Sequence, residues 1–524
     1  MKRFKSSVLM LLVFTGIVSC VKFKKADLVI HNARIYTVNG EFEVAQAMAI
    51  TDGIIVAVGK EHEIMNKYRA SEIIDAETRP IYPGFIDAHC HFLGSGLNGL
   101  AVNLSEAKSM EEIVELLQNG KKDKLDWLIG FGWDENKWDS PELNNNLLNE
   151  KFTDIPVMLW RVDGHSLLAN NMALLKTEFM PELFNGIVKE ENIHHFTKAI
   201  NYTKQQKKNA LRNSESAFFS QGITTVSDAG LTKEEVELIQ SMQESGTLEM
   251  RIYAMLFPSP ESLEMDAIFE DRLTVNSYKV MLDGSVGSKS ACFKSPYRGT
   301  NNYGKLLMSR DSLARIALLA YNKGFQLNVH AIGDSAVKVA LVEMGKVLKE
   351  TNGMTWRIEH AQSVSEEDVK LFGQYNIIPS VQPTHLVDDM KAGIVKSVDK
   401  ESLKNSYRLK SLLEQNQTIA LGTDFPVASK NPVETFYNAI VRNPRIEFPI
   451  ADNENLTREE ALKGITFWPA LANKEYGTKG TIEVGKFADF VILNRDIMKV
   501  PEEEIKDAKV VYTFVNGVIV FENR

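Results

Sequence analysis

Residues two apart on a β-strand project to the same side, so an apolar run closing on His-x-His carries two imidazoles able to grip one ion. Pro83-Gly84-Phe85-Ile86-Asp87-Ala88-His89-Cys90-His91 is such a stretch. Neutral imidazole is the commonest protein ligand for zinc, and a strand end holds two of them with little ordering left to do on binding. Cys90, between the two histidines, points to the opposite side and reads as a packed thiol. Four further candidate ligands stand in or at the ends of later apolar runs: Lys279 within Tyr278 to Asp283, His330 closing Phe325 to His330, His360 closing Trp356 to His360, and Asp424 closing Thr418 to Asp424. A pair of nearby histidines alone is weak, because such pairs recur by chance on surfaces and in cores. Chance would scatter all of these groups among loops and helices, whereas here strands deliver them.

The elements that must position them follow from the pattern. From residue 83 to 474, these runs and four more (Phe85 to His91, Ile223 to Asp228, Arg251 to Leu256, Ile377 to Val381) alternate with longer amphipathic stretches such as Glu111 to Gln118 and Asp311 to Asn322. Repeated βα units of this kind predict an α/β chain folded as a (β/α)8 TIM barrel, whose strand ends meet at one face. The interval between the first two runs is too long for an ordinary barrel connection and holds β-like segments of its own, Trp127 to Phe131 and Pro156 to Val162. It reads as a subdomain inserted over the barrel mouth, at about 95–215. Residues 26–82 and 475–524 carry short β-type runs with Asn-Gly and Asp-Gly turns, the first set reading as a small antiparallel unit. Neither end has strands enough to close a sheet, so the two termini are expected to form one composite β-sandwich.

Composition narrows the function classes. The chain has 524 residues, 44% hydrophobic and 25% charged, enough for a large core and more than one domain. A net charge of -9 without a long basic run argues against nucleic acid and leaves a small-molecule substrate as the partner. At the amino terminus Lys2, Arg3 and Lys5 precede the apolar run Val8 to Val18, too short to span a bilayer comfortably, so residues 1–20 read as an export signal. It ends in Ile17-Val18-Ser19-Cys20, which resembles the bacterial lipobox. That resemblance implies a lipoprotein signal peptide, lipidation of Cys20, and a protein of the bacterial cell envelope facing periplasm or exterior, touching the membrane through its lipid anchor only. Ordinary secretion with cleavage near Ser19 is the alternative. Cys90 and Cys292 then remain, which excludes a disulfide framework.

Several motifs go further: Gly84 through His91, Lys279 with Asp283-Gly284-Ser285, His330-Ala331-Ile332-Gly333-Asp334, Glu359-His360, Gly422-Thr423-Asp424-Phe425-Pro426, and the late Glu483 to Val491 segment. Together they resemble the amidohydrolase superfamily over nearly the whole mature chain, and most closely its amidohydrolase-3 branch, which includes the N-substituted formamide deformylases. The resemblance implies a metal-dependent hydrolase of a carbon–nitrogen bond, an amide such as an N-formyl or N-acyl amine. It implies two divalent ions, zinc by ligand type, with His89, His91 and Asp424 on the inner ion, His330 and His360 on the outer one, and a carbamylated Lys279 bridging both. A lysine ammonium cannot bind a metal, whereas its carbamate is a bidentate anion. A metal-activated hydroxide would be the nucleophile, with Asp424 as the catalytic proton acceptor and donor. Gly132-Trp133-Asp134 and Arg161 to Ser166 resemble substrate-lining segments of the branch, which with the Asp283 motif makes Trp133, Asp163, His165 and Asp283 the candidate substrate-binding residues. By residue type, Trp133 fits a core position and His165 a structural one equally well. Two other readings stay open. A single-metal deaminase of the superfamily carries a glutamate three residues after the fifth-strand histidine, where this chain has Gly333; a non-catalytic ligand-binding surface lipoprotein needs no such groups. His194 and His195 read as solvated, and His31, His62 and His385 match no motif.

Overall fold

The computed structural model describes residues 23–120, 126–139, 143–177, 179, 185–349, 352–442 and 453–523; the expected signal peptide with Cys20 lies outside the described residues. Runs rich in β-branched and aliphatic residues form eight parallel strands: β1 Phe85–Cys90, β2 Ile223–Leu231, β3 Arg251–Leu256, β4 Leu273–Met281, β5 Gln326–Ala331, β6 Arg357–His360, β7 Ile378–Val381 and β8 Ala420–Leu421. They pair in chain order from β1 to β8. Backbone hydrogen bonds close the circle at one end, where Asp424 N–H donates to His89 O at 2.7 Å and His91 N–H to Phe425 O at 2.9 Å. The approach needs a glycine: a Cβ on Gly422 would lie 2.6 Å from the His89 nitrogen. β8 is therefore shorter than the run Thr418 to Asp424 suggests, since the chain leaves the ladder at Leu421 to lie against β1.

Helices cover the barrel and are bounded by ordinary signals. Arg310–Lys323, for example, starts at Ser309, whose hydroxyl accepts from Ser312 N–H, and ends at Gly324 with φ +71°. Their apolar faces meet the outer faces of the strands in one large cluster that includes Ile252, Leu327, Val329 and Ile358, all buried. Each such side chain contributes roughly 1.5–3 kcal/mol of transfer free energy. Cys90 lies in the same cluster as a free thiol.

The long first crossover builds a five-stranded sheet in the order Ile187–Lys189, Ser166–Ala169, Val157–Arg161, Leu128–Trp133, Val102–Asn103, before helix Lys204–Phe219 returns the chain to β2. The termini form two further sheets. One, of four strands, runs Ile54–Gly59, Ala47–Thr51, Lys24–His31, Tyr68–Asp75; the other, of six, places Phe490–Leu493 antiparallel to Pro80–Pro83 and so joins both ends of the chain. Ile30, Ile50 and Ile55 of the first share a core with Ile81, Phe490 and Phe514 of the second. One expectation is corrected here: the amino-terminal unit is mixed, because helix Glu61–Lys67 makes a crossover that lets Tyr68–Asp75 pair parallel with Lys24–His31.

Candidate metal centre

The carboxyl ends of the strands open into a cavity of about 700 Å³ under the inserted sheet. At its floor the side chains the sequence singled out converge. His89 and His91 place Nε2 3.5 Å and 3.3 Å from Asp424 Oδ1, and the ligand atoms of the three lie within 4.8 Å of one another. His91 is past the strand end, where it precedes helix Phe92–Asn98, and is partly exposed while His89 is fully buried. Lys279 Nζ is 3.3 Å from His89 Nε2. The rings of His89 and His360 stand 4.9 Å apart, and those of His330 and His360 4.5 Å. Asp424 (φ +56°) and His360 (φ +72°) both sit in the left-handed region, a cost of order 1–3 kcal/mol each that the surrounding structure imposes where the side chains must converge.

Neighbours decide which ring nitrogen is offered. Glu359 Oε2 is 2.6 Å from His89 Nδ1, so Nδ1 carries the proton and Nε2 presents a lone pair. Gln382 Oε1 does the same for His360 Nδ1 at 2.8 Å. Glu359 is in turn held by Arg357 Nε at 2.7 Å, both fully buried; burial would raise its carboxyl, but Arg357 and His89 outweigh that and hold it well below the usual range. Asp87 accepts from the backbone N–H groups of His89 and Thr423 and from the Thr423 hydroxyl, tying the end of β1 to that of β8, and burial raises it to about 6.

Burial shapes the rest. It pushes His89 down to about 4, with Lys279 adding to the effect, and His330 and His360 well below the ordinary imidazole range, so the rings stay neutral. Burial also lowers the Lys279 ammonium to about 8, against the pull of Glu359 and Asp424. For Asp424 burial acts upward, but His91, His89 and His360 outweigh it and keep the carboxylate ionised. Asp424 Oδ1 is buried and accepts no well-formed hydrogen bond among the described residues. Neutral imidazoles, an ionised carboxylate and an orphaned buried oxygen facing one point fit a divalent transition ion.

Other expected residues behave differently. His330 Nε2 lies 3.3 Å from Gly284 O and 3.6 Å from Asp283 Oδ1, on the side of the ring where it meets the loop after β4. Asp283 is fully buried and does not line the cavity; its carboxylate accepts the backbone N–H groups of Cys292, Ile332 and Gly333, which makes it a clamp on the mouth loops. Trp133 does not line the cavity either, because its indole packs inside the inserted sheet and donates to Leu159 O. Asp163 and His165 do line it. Asp163 accepts from Arg161 and from the hydroxyls of Ser285 and Ser288, and is lowered to about 2 because Arg161 outweighs the effect of burial. His165 is held by Glu190 at 3.0 Å and raised by it against burial, with its ring 5.1 Å from that of His330.

Sequence reasoning passed over His385. It follows β7 on helix Pro383–Lys391, lines the cavity, and sets Nε2 3.6 Å from Asp424 Oδ2. The signal available was its place just after the seventh run, one of the runs to which no ligand had been assigned. Glu359 and Gln382 were open to the same argument from strand position.

A parallel barrel that gathers these donors at its carboxyl end, beneath an inserted cover, is the architecture of a metal-dependent hydrolase. Residues 72–521 match the amidohydrolase family model Amidohydro_3, and the chain belongs to that family. Relatives include Protein LONG AFTER FAR-RED 3 of Arabidopsis thaliana, 29% identical over 545 residues with 94% of this chain and 91% of that one covered. The N-substituted formamide deformylase of Arthrobacter pascens is 24% identical over 536 residues, covering 95% and 98%. Among solved structures, an uncharacterized metal-dependent hydrolase from Pyrococcus horikoshii OT3 superposes with a TM-score of 0.78 at 26% identity, covering 91% of this chain and 99% of that one.

Proposed function

We propose that this amidohydrolase cleaves an amide bond of a small molecule, with N-formyl and N-acyl amines as the first candidates, using zinc ions and a carbamate on Lys279. The observation that carries the reading is the convergence of His89, His91 and Asp424 on one point, with a buried lysine 3.3 Å from His89. When bound there, divalent ions supply a Lewis acid for the carbonyl and lower the pKa of a water. The chain's own groups do the rest. Glu359 and Gln382 fix the histidine tautomers, and Asp424, ionised at neutral pH, takes a proton from the attacking water and returns it to the departing amine. Burial of Lys279 favours the neutral amine, which adds to carbon dioxide with loss of one proton to give the anionic carbamate. A cavity of about 700 Å³ with apolar walls such as Phe131, Val286 and Ile394 suits a small substrate.

Deamination is disfavoured at Gly333. A Cβ there would lie 2.1 Å from Cys292 O, so the backbone already fills the space where that chemistry needs a glutamate side chain. The deciding experiment is a screen of zinc-loaded and chelator-stripped protein against N-formyl and N-acyl amines, with assays for free amine and for ammonia. Chelator-sensitive release of amine is expected. Ammonia alone would favour the deaminase, and turnover of nothing while ligands still bind would favour a binding protein. We also propose export with lipidation at Cys20, supported by the lipobox-like residues 17–20. Cys20→Ala should release the protein from bacterial membranes; a variant that stays bound, with no fatty acid label on the wild type, would refute the anchor.

A further inference from the structure

Strand Lys24–His31 opens one residue after Phe23, and its parallel neighbour Tyr68–Asp75 opens beside it, with Lys24 opposite Tyr68 and Lys25 opposite Arg69. Parallel strands in this register begin at the same end of their sheet, and helix Glu61–Lys67 finishes there too. One corner of the terminal sandwich therefore gathers Lys24, Lys25, Lys67 and Arg69, all exposed. Phe23 is 43% exposed, and the Arg69 guanidinium carbon stands 3.6 Å from the centre of its ring. Arg69 is fixed at the helix end by donating Nη1–H to Met65 O and Tyr68 O. Lys24, Lys25 and Lys67 form no ion pair among the described residues. The acidic groups nearest along the strands, Asp27 and Glu72, stand two and three residues beyond Lys25 and Arg69, and Asp27 is turned to the Asp52 N–H.

The sequence points to what covers this corner. Cys20 precedes Phe23 by three residues, with Lys22 between them. Three residues reach at most about 11 Å when fully extended, close to one Debye length at 0.1 M salt. A lipid on Cys20 cannot hold the corner clear of the headgroups on so short a connection. Basic side chains around an exposed aromatic ring are also the residue types that favour an anionic lipid interface.

We propose that Phe23, Lys24 and Lys25, with Lys67 and Arg69, form a surface that seats on the anionic phospholipid headgroups of a bilayer. The inference rests on the lipidation at Cys20 proposed above and adds a protein contact where the sequence leads to the lipid anchor only. Each basic residue near such a surface contributes about fivefold in affinity, so four give a dissociation constant of about 1 mM in lipid. That is too weak to retain a chain without its anchor and strong enough to orient a tethered one, with the amino-terminal sheet as the membrane side of the molecule.

The test is flotation of residues 21–524, the mature chain without its anchor, which keeps every described residue. Vesicles of phosphatidylglycerol and phosphatidylcholine in equal parts are compared with phosphatidylcholine alone. At low salt the chain should partition into the anionic vesicles at least about 25-fold better, and high salt should remove the preference. Lys24→Glu with Lys25→Glu should abolish it. Lys400→Glu with Lys404→Glu, exposed lysines on a barrel helix that change the net charge equally, should leave most of it. Salt dependence is read on the unsubstituted chain, so a folding defect in a variant does not decide the matter. Equal partition into both kinds of vesicle, or an equal loss in the two double variants, would overturn the surface. The anchor is judged apart from it, because the floated chain lacks Cys20: fatty acid label on the full-length protein without an anionic preference refutes the surface alone, and preference without label supports the surface and refutes the anchor.

Discussion

The two ends of the barrel bury charge in opposite ways. At the amino end, Arg251 opens β3 beneath the terminal sandwich and every polar atom of its guanidinium is matched: Nε and Nη2 meet the two oxygens of Asp489 at 2.5 Å and 3.1 Å, Nη2 also meets Asn516 Oδ1 at 2.5 Å, and Nη1 meets Asp271 O at 2.7 Å. Asp489 Oδ1 accepts from Asn516 N–H as well. At the carboxyl end, Asp424 Oδ1 and His385 Nε2 are buried and make no well-formed hydrogen bond among the described residues. A saturated junction holds two layers in register; an unsaturated one, kept unsaturated by Glu359, Gln382 and Asp87, is arranged to receive something. The barrel fold separates the two tasks, with conformation secured below and chemistry above.

The sharpest way to break the upper end is Asp424→Asn. The amide fills the same space but accepts no proton, so turnover of any amide substrate should fall by about 10²–10⁴-fold with the fold retained. Steady-state kinetics beside circular dichroism decides it, and an active variant would remove Asp424 from proton transfer. The lower end is broken by Asp489→Ala, which leaves Arg251 buried and uncompensated. A loss of about 3–5 kcal/mol in unfolding free energy is expected, read from urea midpoints, with turnover per folded molecule unchanged. A loss under about 1 kcal/mol would mean that the junction does not secure the sandwich.

Much of this contrast was legible in the sequence, and its limits have physical reasons. Alternating β-type runs exposed the eight strands, and the strand-end positions of His89, His91, Lys279, His360 and Asp424 exposed the floor, because strand ends in such a barrel must converge. His385 stayed hidden because it lies on a helix past its strand, where no period-two rule applies. Trp133 was ambiguous because an aromatic in a motif is also an aromatic in a core, and only the bond from its indole to Leu159 O tells them apart. The clamping contacts of Asp283 were out of reach because its partners are backbone N–H groups, which leave no mark in side-chain spacing. The parallel pairing of Lys24–His31 with Tyr68–Asp75 was missed because the seven-residue helix between them is too short to show a helical period.

Support for the upper end can be weakened without touching a metal-facing atom. Glu359→Gln leaves an acceptor for His89 Nδ1–H and removes the charge that holds the tautomer and balances Arg357. Outer partners of this kind are worth about 10–100-fold in metal affinity. Zinc affinity measured with a competing chelator should drop by that factor, and an unchanged affinity would reduce Glu359 to packing.

The smallest expected effect concerns Asp228 on β2, a buried carboxyl that resembles neither end. Its Oδ2 accepts the Leu93 N–H at 3.1 Å, which steadies the turn just after His91, and burial pushes its pKa from 3.8 up to about 7. Because the folded-state value is the higher one, the unfolded chain binds fewer protons between pH 3.8 and 7. The stabilisation tied to the protonated form is therefore complete below the unfolded value and is lost as pH rises through about 7. Asp228→Asn keeps an acceptor for Leu93 and has no charge to bury at any pH. Relative to the variant, the wild type should lose stability between pH 5 and pH 8 by on the order of 1 kcal/mol, seen as diverging urea midpoints. Groups common to both proteins cancel in that difference, so midpoints that move in parallel would show that the Asp228 carboxyl does not titrate in this window, and that its burial is offset by something other than the Leu93 amide.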